Sequence, residues 1–474
     1  MPRLEGFEPA DIPGPKPLPL VGTRMRQRRF LEDPVGAVLE LRTHGDVVAL
    51  VDQDPAIVCA FGERVREVLT DPERFRHDEE TPGRPGSLVA TLLGHTLPVL
   101  NGAPHARHRQ LMSRAFDRSA VEGYAEDLIE LGAQLVRRWP LEGFVKADDL
   151  CRELVLAVTL KCLYGVDVTA GPTELGRLAA TLFDVQGNPH PPVLPEVPIP
   201  GLPYRHTHLI AKQLKKLLGA LIDHRRSPPG SPRDALARLV SASHREGPFD
   251  EDELIGQAAT LFLGSHATIS MAVSWTLLLL DQHPERLEAI QAEIDRVLDE
   301  RDPTLADLPQ LGKLDRAIKE TLRIVPVVPV LFFRVTREAV TLGGKNLPAE
   351  ANVVVSPLAV HHDEARFPDP QRFDPDRWFD LHPDPFDYLP YGAGPRACVG
   401  HAFAKVAVPL LLAMILQHRR LRTQPGARID RLTRGHVMGF KHGLPMRISR
   451  PKDPTDPARR IRGDIHQLVT LPAS

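Results

Sequence analysis

Tyr391-Gly-Ala-Gly394-Pro-Arg396-Ala-Cys398-Val-Gly400 is the stretch that decides how this chain is read. It is a glycine-rich loop that runs into the apolar, helix-like segment Ala402 to Leu416. A cysteine at such a junction meets the unpaired N–H groups of a starting helix and the positive end of its dipole. Both effects lower a thiol's pKa and favour the anionic sulfur. Gly394 and Gly400 let the backbone close up under something flat and bulky. Arg396, two residues ahead of the sulfur, offers its planar fork to an acidic group on that object. A lone cysteine in a large protein is more often a small buried hydrophobe. The frame around Cys398 points instead to a thiolate on haem iron, with an arginine for a haem propionate.

The ten residues resemble the cysteine-ligand loop of the cytochrome P450 family, the haem-thiolate monooxygenases, with Tyr391 where that family usually has Phe. The resemblance implies a mainly α fold with a smaller β part. In that fold a haem b lies between a long central helix and the loop and helix of Cys398. It further implies a proline-rich lead over residues 1–22 and a single P450 domain over 23–474. The lead, Ile12-Pro-Gly-Pro-Lys-Pro-Leu-Pro-Leu-Val-Gly22, reads as a rigid extended segment.

Composition narrows the function without naming it. The 474 residues are 42% hydrophobic and 25% charged, ordinary for a globular protein. Lys plus Arg number 59 and Asp plus Glu 61, so charge gives no sign of a nucleic-acid partner. Cys59, Cys151, Cys162 and Cys398 form no CxxC pair and no zinc-like spacing. No N-terminal apolar run approaches the roughly 20 residues of a membrane helix, and no signal-peptide core precedes the lead. The expectation is a cytoplasmic monomer with reduced thiols and no membrane anchor.

Local patterns place the elements. Pro34 to Arg42 reads as a short helix and Asp46 to Ala60 as a hairpin. Residues 76–100 read as a long loop. Helical patterning dominates from Ala103 to about Leu298, interrupted by a proline-rich loop at Gln186 to Tyr204. Strand-like segments are expected at Val330–Leu342 and Asn352–Ser356, and a mixture of helix and strand over the last 60 or so residues.

Leu254 to Leu280 is long, apolar and helical in character, and holds Gly264-Ser-His266-Ala267-Thr268. A threonine hydroxyl bonds to the carbonyl four residues back, here that of Gly264, and bends a helix. The alternative for this segment alone is a core helix with one back-bonded threonine. The resemblance puts Thr268 in the oxygen-binding role and Ala267 where the family carries an acid, which leaves the usual proton delivery without its carboxyl. His266 is a weak substitute for that acid.

Glu320-Thr-Leu-Arg323 places opposite charges three apart on one helix face, a spacing that most often marks a solvated pair. By resemblance, Glu320 and Arg323 join Arg377 of Phe373-Asp-Pro-Asp-Arg377-Trp378 in a buried charge network behind the cysteine loop. His105 and Arg109 share a helix face at i and i+4, either as a basic surface or, by resemblance, as haem-propionate partners with Arg334 and Arg396. Arg107, Arg114 and Arg118 are expected on a docking patch for an acidic electron carrier. His361-His362 is taken as an exposed turn without a role. Ala407 stands where relatives often have Glu, and Pro409 is expected to kink the helix after the cysteine.

The chain carries no HExxH, Walker A loop or dinucleotide fingerprint, so reducing equivalents must come from a separate protein; the resemblance implies a ferredoxin or flavodoxin with its reductase. The expected substrate is an apolar small molecule: a terpenoid, fatty acid, steroid or polyketide. Segments 80–100, 183–205, Val327–Leu331 and Val437–Phe440, with Leu261 and Gly264, are the candidate pocket lining. Two alternatives stay open: a peroxide-driven or otherwise atypical haem-thiolate enzyme, suggested by Ala267, and a non-enzymatic haem or ligand-binding protein.

Overall fold

The computed structural model describes residues 12–14, 24–51, 56–77, 94–169, 171, 173–178, 181, 203–226, 233–451 and 460–472. Its helices, in chain order, are α1 (Arg24–Glu32), α2 (Pro34–Leu41), α3 (Arg64–Thr70), α4 (Gly102–Arg114), α5 (Arg118–Arg137), α6 (Ala147–Tyr164) and α7 (Pro203–Arg226). There follow α8 (Ala235–Glu246), α9 (Glu251–Gln282), α10 (Pro284–Leu298), α11 (Gly312–Ile324), α12 (Pro357–His361) and α13 (His401–His418). The strands are β1 (Val47–Val51), β2 (Ile57–Ala60), β3 (Phe75–Arg76), β4 (Gly143–Lys146), β5 (Arg334–Thr336) and β6 (Val340–Leu342). The later ones are β7 (Lys345–Leu347), β8 (Asn352–Val355), β9 (Arg420–Thr423), β10 (Arg431–Arg434), β11 (Val437–Phe440) and β12 (Pro445–Ser449).

Helix α9 is the axis of the fold. A capping box starts it: Asp250 accepts from the Glu253 N–H at 2.8 Å while Glu253 accepts from the Asp250 N–H at 2.9 Å. Its residues are apolar nearly all round, which is tolerable only in an interior. Accordingly α6, α7, α11 and α13 all pack against it. Helices α9 and α13 are each long and apolar enough to cross a membrane, yet most of their residues are buried inside the protein.

The larger sheet has the order β1-β2-β8-β5-β3. The hairpin expected at Asp46–Ala60 is there, as β1 against β2 in antiparallel register. Within Val330–Leu342 only β5 and β6 are strands. Residues 326–333 form no regular element, because Pro326 and Pro329 lack N–H groups to complete a ladder. Instead the Pro329 carbonyl accepts from Ser356 Oγ at 2.7 Å, and Leu331 N–H donates to Val355. Strand β4 was missed from sequence; it pairs with β12, which continues to β9.

Of the lead, Ile12 to Gly14 are described. Ile12 is buried and the Pro13 carbonyl accepts from Ala49 N–H at 2.9 Å, so this part lies on β1. The expected loops at 76–100 and 186–204 fall mostly outside the described residues. At the end of the second, Pro203 and Tyr204 already belong to α7, with proline at a helix start. Pro409 is buried inside α13, which runs on through it to His418. Ala407 is fully buried there.

Candidate active site

Cys398 follows a tight loop whose closure is local: Cys398 N–H donates to the Tyr391 carbonyl at 2.8 Å and Ala397 N–H to Gly394 at 3.0 Å. Gly394 is required by the protein itself. Its φ is +71°, and a Cβ there would stand 2.3 Å from the Leu69 carbonyl oxygen of α3. The loop is thereby pressed on α3. At Gly400, the N-cap of α13, a Cβ would make ordinary contact with the Phe116 ring, so this glycine is not demanded by the surrounding chain.

The Cys398 sulfur is surrounded by protein on most sides and still keeps exposed surface, as a residue on the wall of an internal hollow does. Its electrostatics correct the sequence expectation. Burial pushes the thiol pKa up, and the Gly400 N–H and the charge of Arg109 only partly oppose that. The helix start alone does not hold the sulfur as an anion; a positive ligand must complete the balance. Among the described residues no three His, Cys, Asp or Glu side chains converge on a metal position. A metal at Cys398 would need its other ligands from elsewhere.

Around this hollow the fold gathers positive charge. Arg109 on α4 donates to the Ala397 carbonyl at 2.7 Å, next to the cysteine. Arg396 donates to Asn101 Oδ1 at 2.6 Å. Arg334 begins β5, is buried, and meets His77 Nε2 through Nη1. His105 is buried on the same α4 face as Arg109. Burial, with Arg396 nearby, brings Arg334 down to about 10, and burial with Arg109 brings Arg396 to about 10. His105 falls to about 4, from burial first and then from Arg396, Arg109 and Arg334. No carboxylate among the described residues forms an ion pair with any of the three arginines. A buried group of cations without a counter-charge is unfavourable by itself. It fits a flat ligand carrying two carboxylates, as haem does with its propionates.

On α9, Gly264 faces open space: a Cβ there would meet nothing within 4 Å. Thr268 Oγ1 bonds to the Gly264 carbonyl at 2.9 Å and to Ser265 at 3.1 Å, as its spacing predicts. Ala267 is buried. His266 is buried too, with Nδ1 3.1 Å from the Phe262 carbonyl and a pKa lowered by burial, so it is no replacement acid.

The sequence model of the family described as Cytochrome P450 matches residues 12–445. The chain belongs to the cytochrome P450 family. It is 31% identical over 427 residues to the cyclooctatin synthase of Streptomyces melanosporofaciens, covering 88% of this chain and 91% of that protein. The cyclooctat-9-en-7-ol 5-monooxygenase of the same organism is 28% identical, over 87% of this chain and 90% of its own. The pentalenene oxygenase of Streptomyces avermitilis is 29% identical, over 87% and 92%. The haem domain of cytochrome P450DA superposes with a TM-score of 0.81 at 23% identity, over 94% of this chain and 99% of that one, a likeness of fold. The protein is thus a P450 monooxygenase of the haem-thiolate type.

In this P450 the three charges expected behind the loop do meet. Arg323 donates to both Glu320 oxygens at 2.9 Å, and both side chains are fully buried. Arg377 adds a bond to Glu320 Oε1 at 3.0 Å, and the Trp378 indole donates to Oε2 at 2.9 Å. The pair is therefore not the solvated contact that its spacing alone allows.

One expectation needs correction. His361 and His362 are buried, not an exposed turn. His361 Nε2 accepts from Leu389 N–H at 2.7 Å and Nδ1 lies 3.1 Å from the Arg323 carbonyl, while His362 Nε2 lies 2.9 Å from that of Ile324. Two of the charges expected on a docking patch also make ion pairs at the surface. Arg107 pairs with Glu253 at 3.0 Å, and Arg118 with Glu122 at 2.8 Å.

Sequence reasoning also missed His77 and Asn101. Asn101 Oδ1 accepts from the His77 N–H at 2.9 Å and from Arg396, while its Nδ2 donates to the His77 carbonyl. One amide thus joins the residue after β3 to the cysteine loop. The N-cap position of Asn101 was the only local sign.

Proposed function

We propose that this P450 holds haem b on Cys398 and oxidises an apolar small molecule with electrons from a ferredoxin or flavodoxin and its reductase. The observation that carries this reading is the buried cation group beside Cys398. Arg109, Arg334, Arg396 and His105 would bind the two propionates, with His77 and Asn101 keeping Arg334 and Arg396 aimed. Bound there, haem supplies the activation of dioxygen, so that one oxygen atom enters a substrate C–H bond and the other leaves as water.

The chain's own part is to bind, orient and move protons. In this state the Thr268 hydroxyl proton is directed at the Gly264 and Ser265 carbonyls. Its oxygen is left as the acceptor that faces the hollow, and a proton must reach it from water or from the substrate. Residues 326–333 after α11 supply an apolar wall. The substrates named for the relatives include an unsaturated hydrocarbon and an unsaturated alcohol, both of apolar character. A monomer working in the cytoplasm belongs to the same reading, as does a single catalytic domain over 23–474.

The test is the reduced, carbon monoxide-bound protein. A red-shifted Soret band of thiolate-ligated haem is expected, and Cys398→Ala should lose it. A histidine-type spectrum from folded protein, or unchanged ligation in Cys398→Ala, would end this reading. Ala267 favours a second one, a peroxide-driven enzyme. Comparing product formed with a surrogate redox pair against hydrogen peroxide alone separates the two.

A further inference from the structure

The sheet β4-β12-β9 is covered at one edge and open at the other. On β9 the Thr423 N–H is taken up by Asp281 Oδ2 of α9 at 3.0 Å. Strand β4 has no such cover among the described residues. Ala147 N–H donates to the Leu444 carbonyl at 2.9 Å, and the pairs Val145↔Met446 and Gly143↔Ile448 continue the same alternation. These residues therefore turn their backbone groups to β12. Phe144, between them, turns its N–H and carbonyl away from the sheet, where no described residue meets them. Such an edge is a template for another strand.

The side chains along this edge are unpartnered as well. Phe144 is 73% exposed, while Val145 on the opposite face packs on the core. Glu142 and Lys146, two residues to either side of Phe144, are exposed and form no ion pair with any described residue. A lysine on an edge strand by itself discourages pairing. Here the run Glu142-Gly-Phe144-Val-Lys146 answers its own charges when it meets a copy of itself. In antiparallel pairing centred on Phe144, that ring faces its own copy. Glu142 of each chain then faces Lys146 of the partner subunit, because both stand two residues from the centre. Centring on Val145 instead would set Phe144 across from lysine and give Glu142 no cation.

We infer that two copies of this chain pair edge to edge through β4, about a two-fold axis at Phe144, and join their small sheets into one. Such an interface is isologous, so each contact is made twice. It covers both Phe144 rings, gives their backbone groups partners and adds a cross-strand ion pair at either end. The contact is small, so the pairing is weak and reversible. The monomer stays the working unit, since Cys398 and the cation group are complete within one chain.

Sedimentation velocity of the haem-loaded protein over a concentration series is the test. The parent should move from monomer towards dimer as concentration rises. Glu142→Lys or Lys146→Glu alone sets like charges across both ends and should weaken pairing by about tenfold or more. The double variant Glu142→Lys/Lys146→Glu restores opposite charges and should pair like the parent. An equal mixture of the two single variants should form mixed dimers, in which every facing pair is attractive. An unchanged carbon monoxide spectrum in each variant would show that the haem site is kept. A parent that stays monomeric throughout would overturn the inference and leave the edge to a strand of another protein. A dimer indifferent to the single reversals, or lost in the double variant, would overturn it too.

Discussion

Leu389 donates its backbone N–H to His361 Nε2 at 2.7 Å, and the other ring nitrogen reaches the Arg323 carbonyl. One buried imidazole so ties α11 to the loop that leads into Cys398. Replacing it leaves a buried N–H without an acceptor, which costs about 1–3 kcal/mol. His361→Leu should lower the denaturation midpoint and make the carbon monoxide complex lose its thiolate-type Soret band faster. An unchanged midpoint would show that water or a neighbour takes over the bond.

Arg323→Ala addresses the same structure from the other side. It removes two bonds to the fully buried Glu320 carboxylate and one to the His361 carbonyl. Removing one partner of a buried ion pair costs about 3–5 kcal/mol, and Arg377 and Trp378 would still hold the carboxylate. Little soluble, haem-loaded protein is expected. A variant that expresses, takes up haem and melts like the parent would contradict a stabilising role.

Arg334→Ala and His105→Ala should speed haem transfer to an acceptor such as apomyoglobin and leave product identity unchanged. Opening the cation group lowers affinity for the propionates without touching the apolar wall. A changed product profile at normal haem retention would reassign both residues to substrate binding.

Acid should destabilise the fold below pH 6.5. Burial holds His362 at about 4 against an ordinary value near 6.5, and His361 is held well below that value, so both stay neutral when folded. As pH falls from 6.5 towards 4, the unfolded chain takes up protons that the folded one refuses, and stability drops through that window. For His362 the loss amounts to roughly 3 kcal/mol, fully developed by about pH 4. Urea midpoints measured from pH 7.5 to 4.5 should fall, and His362→Gln should flatten the slope. An identical slope in the variant would place the acid sensitivity elsewhere.

Ala267 leads to a test of proton supply. With no carboxyl beside Thr268, electron use should be poorly coupled to product for surrogate substrates that lack a hydroxyl, with peroxide released. A positioned acid or base is worth about a hundredfold to ten-thousandfold in typical catalysis. Ala267→Glu should raise coupling for those surrogates. Tight coupling in the parent, with no gain in Ala267→Glu, would make Thr268 with water the route.

What could be read from sequence was what is local. The cysteine loop is ten consecutive residues, and its backbone bonds span only three to seven positions, so a linear motif carries its shape. Helix α9 was legible because a long run that is apolar nearly all round has one stable environment, the interior. The bond from Thr268 to Gly264 followed from helical spacing alone. His361 was misread for the opposite reason. His-His-Asp beside prolines has the composition of an exposed turn, and only packing against α11 buries it.

The sequence carried the resemblance to the haem-thiolate family, with Cys398 at its ligand position, and the long apolar central helix; through that resemblance it also grouped Glu320 and Arg323 with Arg377. The cysteine loop and the Glu320–Arg323 pair are short motifs, and the helix is one continuous run, so each can be read along the chain. Only packing across the chain decides that Asn101 joins His77 to Arg396, that β4 pairs with β12, and that the His436 ring lies on Phe332. These contacts join residues 24 to about 300 positions apart, and no periodicity or spacing records them. They exist because packing around α9 brings those surfaces together, and a buried polar atom must then find whatever partner that packing supplies.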